Sequence, residues 1–82
     1  MNALLQEVHD AVSTLFQRNP ALCGFSVKED LSFTNVACHP ALIGDEAQML
    51  CEEISMVLSE LVDERPEAAE LLRGRTLARI FH

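Results

Sequence analysis

ALCGFSVKEDLSFTNVAC, residues 21–38, decides the fold, because two apolar runs that alternate with period two meet there across a short polar loop. Cys23, Phe25 and Val27 share one face of the first run, and Gly24 and Ser26 the other. In the second run Leu31 and Phe33 take the apolar face, Ser32 and Thr34 the polar one. Successive side chains on a strand point to opposite faces, so the stretch reads as a half-buried β-hairpin. Matching the apolar faces predicts a three-residue loop, Lys28-Glu29-Asp30, with Val27 opposite Leu31 and Phe25 opposite Phe33. Asp30 then takes the left-handed position. The alternation weakens at Asn35, the mark of a bulge or of the edge of the core. Without a bulge, Cys23 and Cys38 face opposite sides of the sheet, which argues against a disulfide between them.

Helices flank the hairpin. In ALLQEVHDAVSTLF (3–16), Leu4 or Leu5, Val8, Ala11 or Val12, and Leu15 or Phe16 form one helical stripe. Asn2 is placed to cap its start, and Arg18-Asn19-Pro20 stops it, since the residue before proline avoids helical dihedrals. Pro40 ends the second strand, and Gly44-Asp45 opens the longest helix, where Asp45 with Gln48 resembles a capping box. Its stripe runs Ala47, Leu50, Cys51, Ile54, Val57, Leu58, Leu61, Val62, with Met49 and Met56 flanking it one heptad apart. DERPEAAELLRG (63–74) reads as a turn and a short helix, with Pro66 at the first helical position and Gly74 closing it. The tail RTLARIFH (75–82) fits two periods, a helix or irregular segment being favoured over a third strand; a two-stranded sheet is marginal alone, which keeps the strand open. The fold class is α+β: a two-layer arrangement of helix, β-hairpin, long helix and short helix in one domain spanning residues 1–82.

Composition narrows the function. At 49% apolar residues the chain has enough for one compact core. Its apolar runs fall far short of the roughly 20 residues that span a bilayer, so no membrane partner is expected. The start MNALLQEVHD lacks the pattern of a signal peptide, and three cysteines, an odd number with no Cys-x-x-Cys pair, suit a reducing cytoplasm. A net charge of −7 opposes nucleic-acid binding, which needs clustered cations. The charge is also uneven: residues 45–64 hold seven acids and no base, whereas residues 65–82 carry a net +2 through Arg65, Arg73, Arg75 and Arg79.

Cys38-His39 is the stretch most like chemistry. A nucleophilic cysteine needs a base within hydrogen-bond reach, and neighbours on a strand diverge. His9 or His82 would have to serve. Cys23, Cys38, His39 and Cys51 contain no close-spaced ligand pair for zinc. Glu52 with Glu53, and Glu60 with Glu64, read as a solvated helix face, and His9 and Asp10 point apart on theirs. Three isolated glycines form no phosphate-binding loop. The basic run Arg73, Arg75 and Arg79 suits a carboxylate or phosphate, or else complements a helix C-terminus and pairs with the acidic helix. The expectation is a non-enzymatic module without cofactor or metal that binds a protein or itself. Arg73, Arg75, Arg79, Met49 and Met56 form its contact surface, and the acidic helix meets the arginine tail across a two-fold axis. The alternative is a ligand-, metal- or redox-responsive role for Cys38 and His39.

Overall fold

The computed structural model describes residues 3–79. Helix α1 (Ala3–Arg18) leads into β1 (Leu22–Val27) and β2 (Phe33–Cys38), followed by α2 (Asp45–Glu64), α3 (Ala68–Leu72) and β3 (Thr76–Ala78). The fold is α+β, as the periodicities require. The tail, however, adds a third strand, against the preference for helix. The sheet order is β2-β1-β3, all antiparallel, so β1 is central. Gly74, at φ +70°, closes α3 and reverses the chain in a conformation that glycine adopts without a Cβ clash. Leu77 then lies opposite Phe25 and Thr76 opposite Ser26. The two hydroxyls meet at 3.1 Å on the exposed face. Residues 80–82, and Asn2 with its expected cap, lie outside the described residues.

The hairpin keeps its three-residue loop but one residue later than the face-matching predicts. Lys28 N–H donates to the Ser32 carbonyl at 2.8 Å, so Glu29, Asp30 and Leu31 form the loop and Val27 pairs with Phe33. Leu31, not Asp30, takes the left-handed position, at φ 70°. Asp30 instead accepts from the Ser32 backbone at 3.0 Å and its hydroxyl at 2.6 Å, an arrangement that short acidic side chains favour in turns. These two bonds, the hydroxyl's first, hold the Asp30 carboxyl below its ordinary pKa. The register moves by two residues, so the apolar faces still match.

Asn35 is the expected bulge. It sits at φ 55° between the Ser26–Thr34 and Gly24–Ala37 pairs, where β2 has one residue more than β1. An extra residue reverses which side chains face inward. Phe33, Val36 and Cys38 therefore pack against the core, while Thr34, Asn35 and Ala37 are exposed. A second irregularity between Leu22 and Gly24 makes Leu22, rather than Cys23, the buried residue at the start of β1.

The core joins Val8, Leu15 and Phe16 of α1 to Leu22, Phe25 and Val27 of β1, and to Leu50, Ile54, Leu58 and Leu61 of α2. Phe25 stands 6.3 Å, centroid to centroid, from both Phe16 and Phe33. Helix α2 starts without the capping box: Gly44, at φ 61° and ψ −133°, is its N-cap, no side chain caps it, and Asp45 is the first helical residue. There Asp45 and Glu46 still complement the helix dipole. Pro66 precedes α3 in a tight turn, its carbonyl accepting from Ala69, instead of opening the helix.

Candidate functional site: thiols, arginines and the outer face of α2

The bulge at Asn35 settles where Cys38 points. Cys38 and Cys51 line one apolar groove of about 410 Å³ with Val36, Leu42, Ala47 and Leu50. All three cysteines are free and half-buried. Burial pushes the Cys38 thiol above its ordinary pKa, and the thiols of Cys23 and Cys51 push it the same way. His39 does not line that groove; it is exposed, and its backbone N–H donates to Ala21 at 2.8 Å. The His39–Pro40 peptide bond is cis. Among the described residues no three His, Cys, Asp or Glu side chains converge as metal ligands. Cys38 is thus a half-buried thiol whose pKa is raised, the opposite direction from an activated nucleophile. Iodoacetamide at pH 8 should alkylate Cys38 several-fold more slowly in the native protein than in urea, followed by mass spectrometry. Equal rates would contradict this placement.

The three arginines of the tail have different surroundings. Arg73 reaches Glu70 at 2.7 Å on the surface of α3. Arg79 turns into the fold: its Nη2 donates to the carbonyls of Phe16 at 2.7 Å and Asn19 at 2.9 Å, and its Nε to Leu22 at 3.0 Å. Its guanidinium also lies 5.2 Å from the Phe16 ring centroid. It complements a helix C-terminus, but that of α1, over sixty residues earlier in the chain. Arg75 is exposed, and its guanidinium has no partner among the described residues.

The acidic helix is bridged from α1, not from the tail. Arg18 meets Glu53 at 3.1 Å, and the Asn19 side-chain amide donates to the same carboxylate. The other acids of α2 (Asp45, Glu46, Glu52, Glu60, Asp63 and Glu64) have no cationic partner among the described residues. Met49 and Met56 stand on this outer face, 68% and 54% exposed. Their heptad spacing put them beside the stripe; on the helix they lie at the pole opposite Leu50, Ile54, Leu58 and Leu61, among the carboxylates. Met56 is one turn from Glu52 and Glu60 and two turns from Asp63.

Two features escape sequence reading. Arg65 grips both Glu7 oxygens through Nη1 at 2.8 Å and Glu67 through Nε at 3.0 Å, tying α1 to the turn before α3. No local pattern pairs residues so far apart. The second is a groove of about 350 Å³ between the hairpin and α2, which exists only once the two elements pack. No helix among the described residues is long and apolar enough to cross a membrane. Comparison with protein-family models, curated proteins and solved structures found no significant match.

Proposed function

We propose that this chain is a non-catalytic protein-interaction module whose working surface is the outer face of α2. One observation carries the reading: Met49 and Met56 are exposed amid six carboxylates that no cation of the described residues neutralises. Water solvates carboxylates well, but two large thioethers on a solvent pole add nothing to folding. Methionine is adaptable and frequent at binding surfaces. The six unneutralised carboxylates also support the absence of nucleic acid from the list of partners. The three unbridged thiols support a reducing, cytoplasmic setting.

Met49→Glu/Met56→Glu should leave the thermal midpoint within a few degrees of wild type, because exposed substitutions shift stability by about 0.5 kcal/mol or less. The same variant should lose at least tenfold in binding to the protein that wild type captures from its source lysate, an interface anchor costing about 1.4 kcal/mol or more. Equal capture by both forms would refute the surface. Sedimentation velocity separates the two kinds of partner: a homodimer of wild type that the double variant converts to monomer makes the partner a second copy.

A second reading gives Cys38 and His39 a ligand- or redox-responsive role. It is supported by the two thiols that share the 410 Å³ groove. Its test is intact mass and elemental analysis of protein purified under native conditions. An unmodified chain without metal, combined with slow Cys38 alkylation, would refute it.

A further inference from the structure

The groove of about 350 Å³ between the hairpin and α2 has an apolar floor made by Leu31, Phe33, Leu58 and Val62. Leu31, Phe33 and Val62 are half-buried, so part of the floor remains open to water. Hydroxyls of Ser32, Ser55 and Ser59 stand at its rim together with the Asp63 carboxylate. Asp63 has no cationic partner among the described residues. One helical turn back along α2 from Ser55, Ser59 and Asp63 lie Glu52, Met56 and Glu60. The groove therefore runs directly into the acidic, methionine-bearing face.

The charges around it are unequal. Glu29 and Asp30 sit in the hairpin loop beside Lys28, the only cation on the hairpin. On α2, Asp63 at the rim and Glu52 and Glu60 on the adjoining face have no cationic partner among the described residues. An apolar slot with a one-sided negative rim accepts a hydrophobic side chain whose neighbours are cationic. A neutral or acidic apolar segment would bring either uncompensated desolvation or like-charge repulsion.

We propose that this groove seats an apolar side chain of a basic, amphipathic protein segment, whose lysines or arginines lie against Asp63, Glu60 and Glu52. The proposal rests on the reading of α2 as an interaction surface and supplies the chemistry of the partner. The slot provides the anchor and the carboxylates provide orientation and on-rate.

The probe is a 14-residue amphipathic peptide of leucine and lysine, with a leucine–glutamate peptide of the same pattern as control. Each is titrated into isotope-labelled protein and followed by amide chemical shifts. The Leu–Lys peptide should shift the amides of Ser32, Ser55, Ser59 and Asp63 in one saturable process, and the Leu–Glu peptide should not. Asp63→Lys should weaken the effect at least tenfold. Ser59→Trp, which fills the slot from an exposed helix position, should abolish the Ser32 shift. A check that both variants keep the wild-type fold is their unchanged spectrum away from the groove.

Shifts confined to the Met49–Met56 stretch would overturn the groove while leaving the α2 face as the working surface. Equal binding of the Leu–Glu peptide would overturn the charge argument, and no binding by either peptide would overturn the whole proposal. Concentration-dependent shifts of the same four amides without peptide would assign the groove to a second copy, and overturn it as well.

Discussion

Arg79→Ala should remove about 3 kcal/mol of folding stability, read as a fall in the urea midpoint at unchanged slope. Hydrogen bonds from a charged donor are worth about 1.5–3 kcal/mol each, but the three made by Arg79 share one guanidinium and do not add. Their acceptors, the carbonyls of Phe16, Asn19 and Leu22, lie where α1 hands over to β1. Without Arg79 these part-buried acceptors each lose a charged donor, Phe16 and Asn19 keeping the backbone bonds from Asn19 and Leu22 N–H, and the Phe16 ring loses its cation. A domain of this size is stable by about 4–12 kcal/mol, so the loss is a large fraction of the total. Arg79→Lys should recover only part of it, since an ammonium cannot span three carbonyls in the plane that a guanidinium does. An alanine variant as stable as wild type would remove Arg79 from the fold's supports.

Gly24→Val should be comparably damaging, by about 2–3 kcal/mol, through the opposite mechanism of overpacking. A Cβ at position 24 would lie 2.9 Å from the Leu77 carbonyl oxygen and 3.4 Å from the Ala78 Cα. Both neighbours are backbone of β3, held by the ladder to β1, so neither yields without moving the strand. Valine adds two methyl groups to that conflict. β3 would be driven off β1, and with it the bond from Arg79 N–H to the Cys23 carbonyl, 2.9 Å in the intact sheet. Because displacing β3 in Gly24→Val also carries the Arg79 guanidinium away from its three carbonyls, the double variant should lose clearly less than the sum of the two single losses. Full additivity would show that β3 and the Arg79 bonds are independent.

These two residues also mark where sequence stops being informative. Helices α1 and α2 follow from a 3.6-residue stripe, the hairpin from alternation, and the bulge from one polar residue where an apolar one was due. Each signal is local, and each element forms. The bulge went further: shifting inward and outward positions past Asn35 places Cys38 against the core. The tail is different, because Arg75, Leu77 and Arg79 fit a strand's alternation while Leu71, Gly74 and Ala78 fit one helical face. Its state is set by the free edge of β1 and by three carbonyls near the end of α1, which lie more than fifty residues away in the chain. A guanidinium that reads as surface charge is then a half-buried clamp on the end of α1. The loop moved by one residue because Asp30 bonds Ser32 and so leaves the left-handed position to Leu31.

The candidate site divides in the same way. Met49 and Met56 were legible from their spacing, although not their place opposite the stripe. The three arginines were legible as a group but not in their separate roles. A charge-removal variant that includes Arg79 would lose folding stability together with any contact, so a lost partner could not be assigned to the surface. Arg75 alone is suited to a binding test of the tail.

Site-specific photocrosslinking in source cells tests the α2 surface most directly, with a benzophenone side chain placed at position 49, at position 56 or at Thr34 on the exposed face of the sheet. Positions 49 and 56 should crosslink to the same polypeptide, and Thr34 should give no such product. Crosslinking of that polypeptide from Thr34, with none from the two methionine positions, would contradict the assignment.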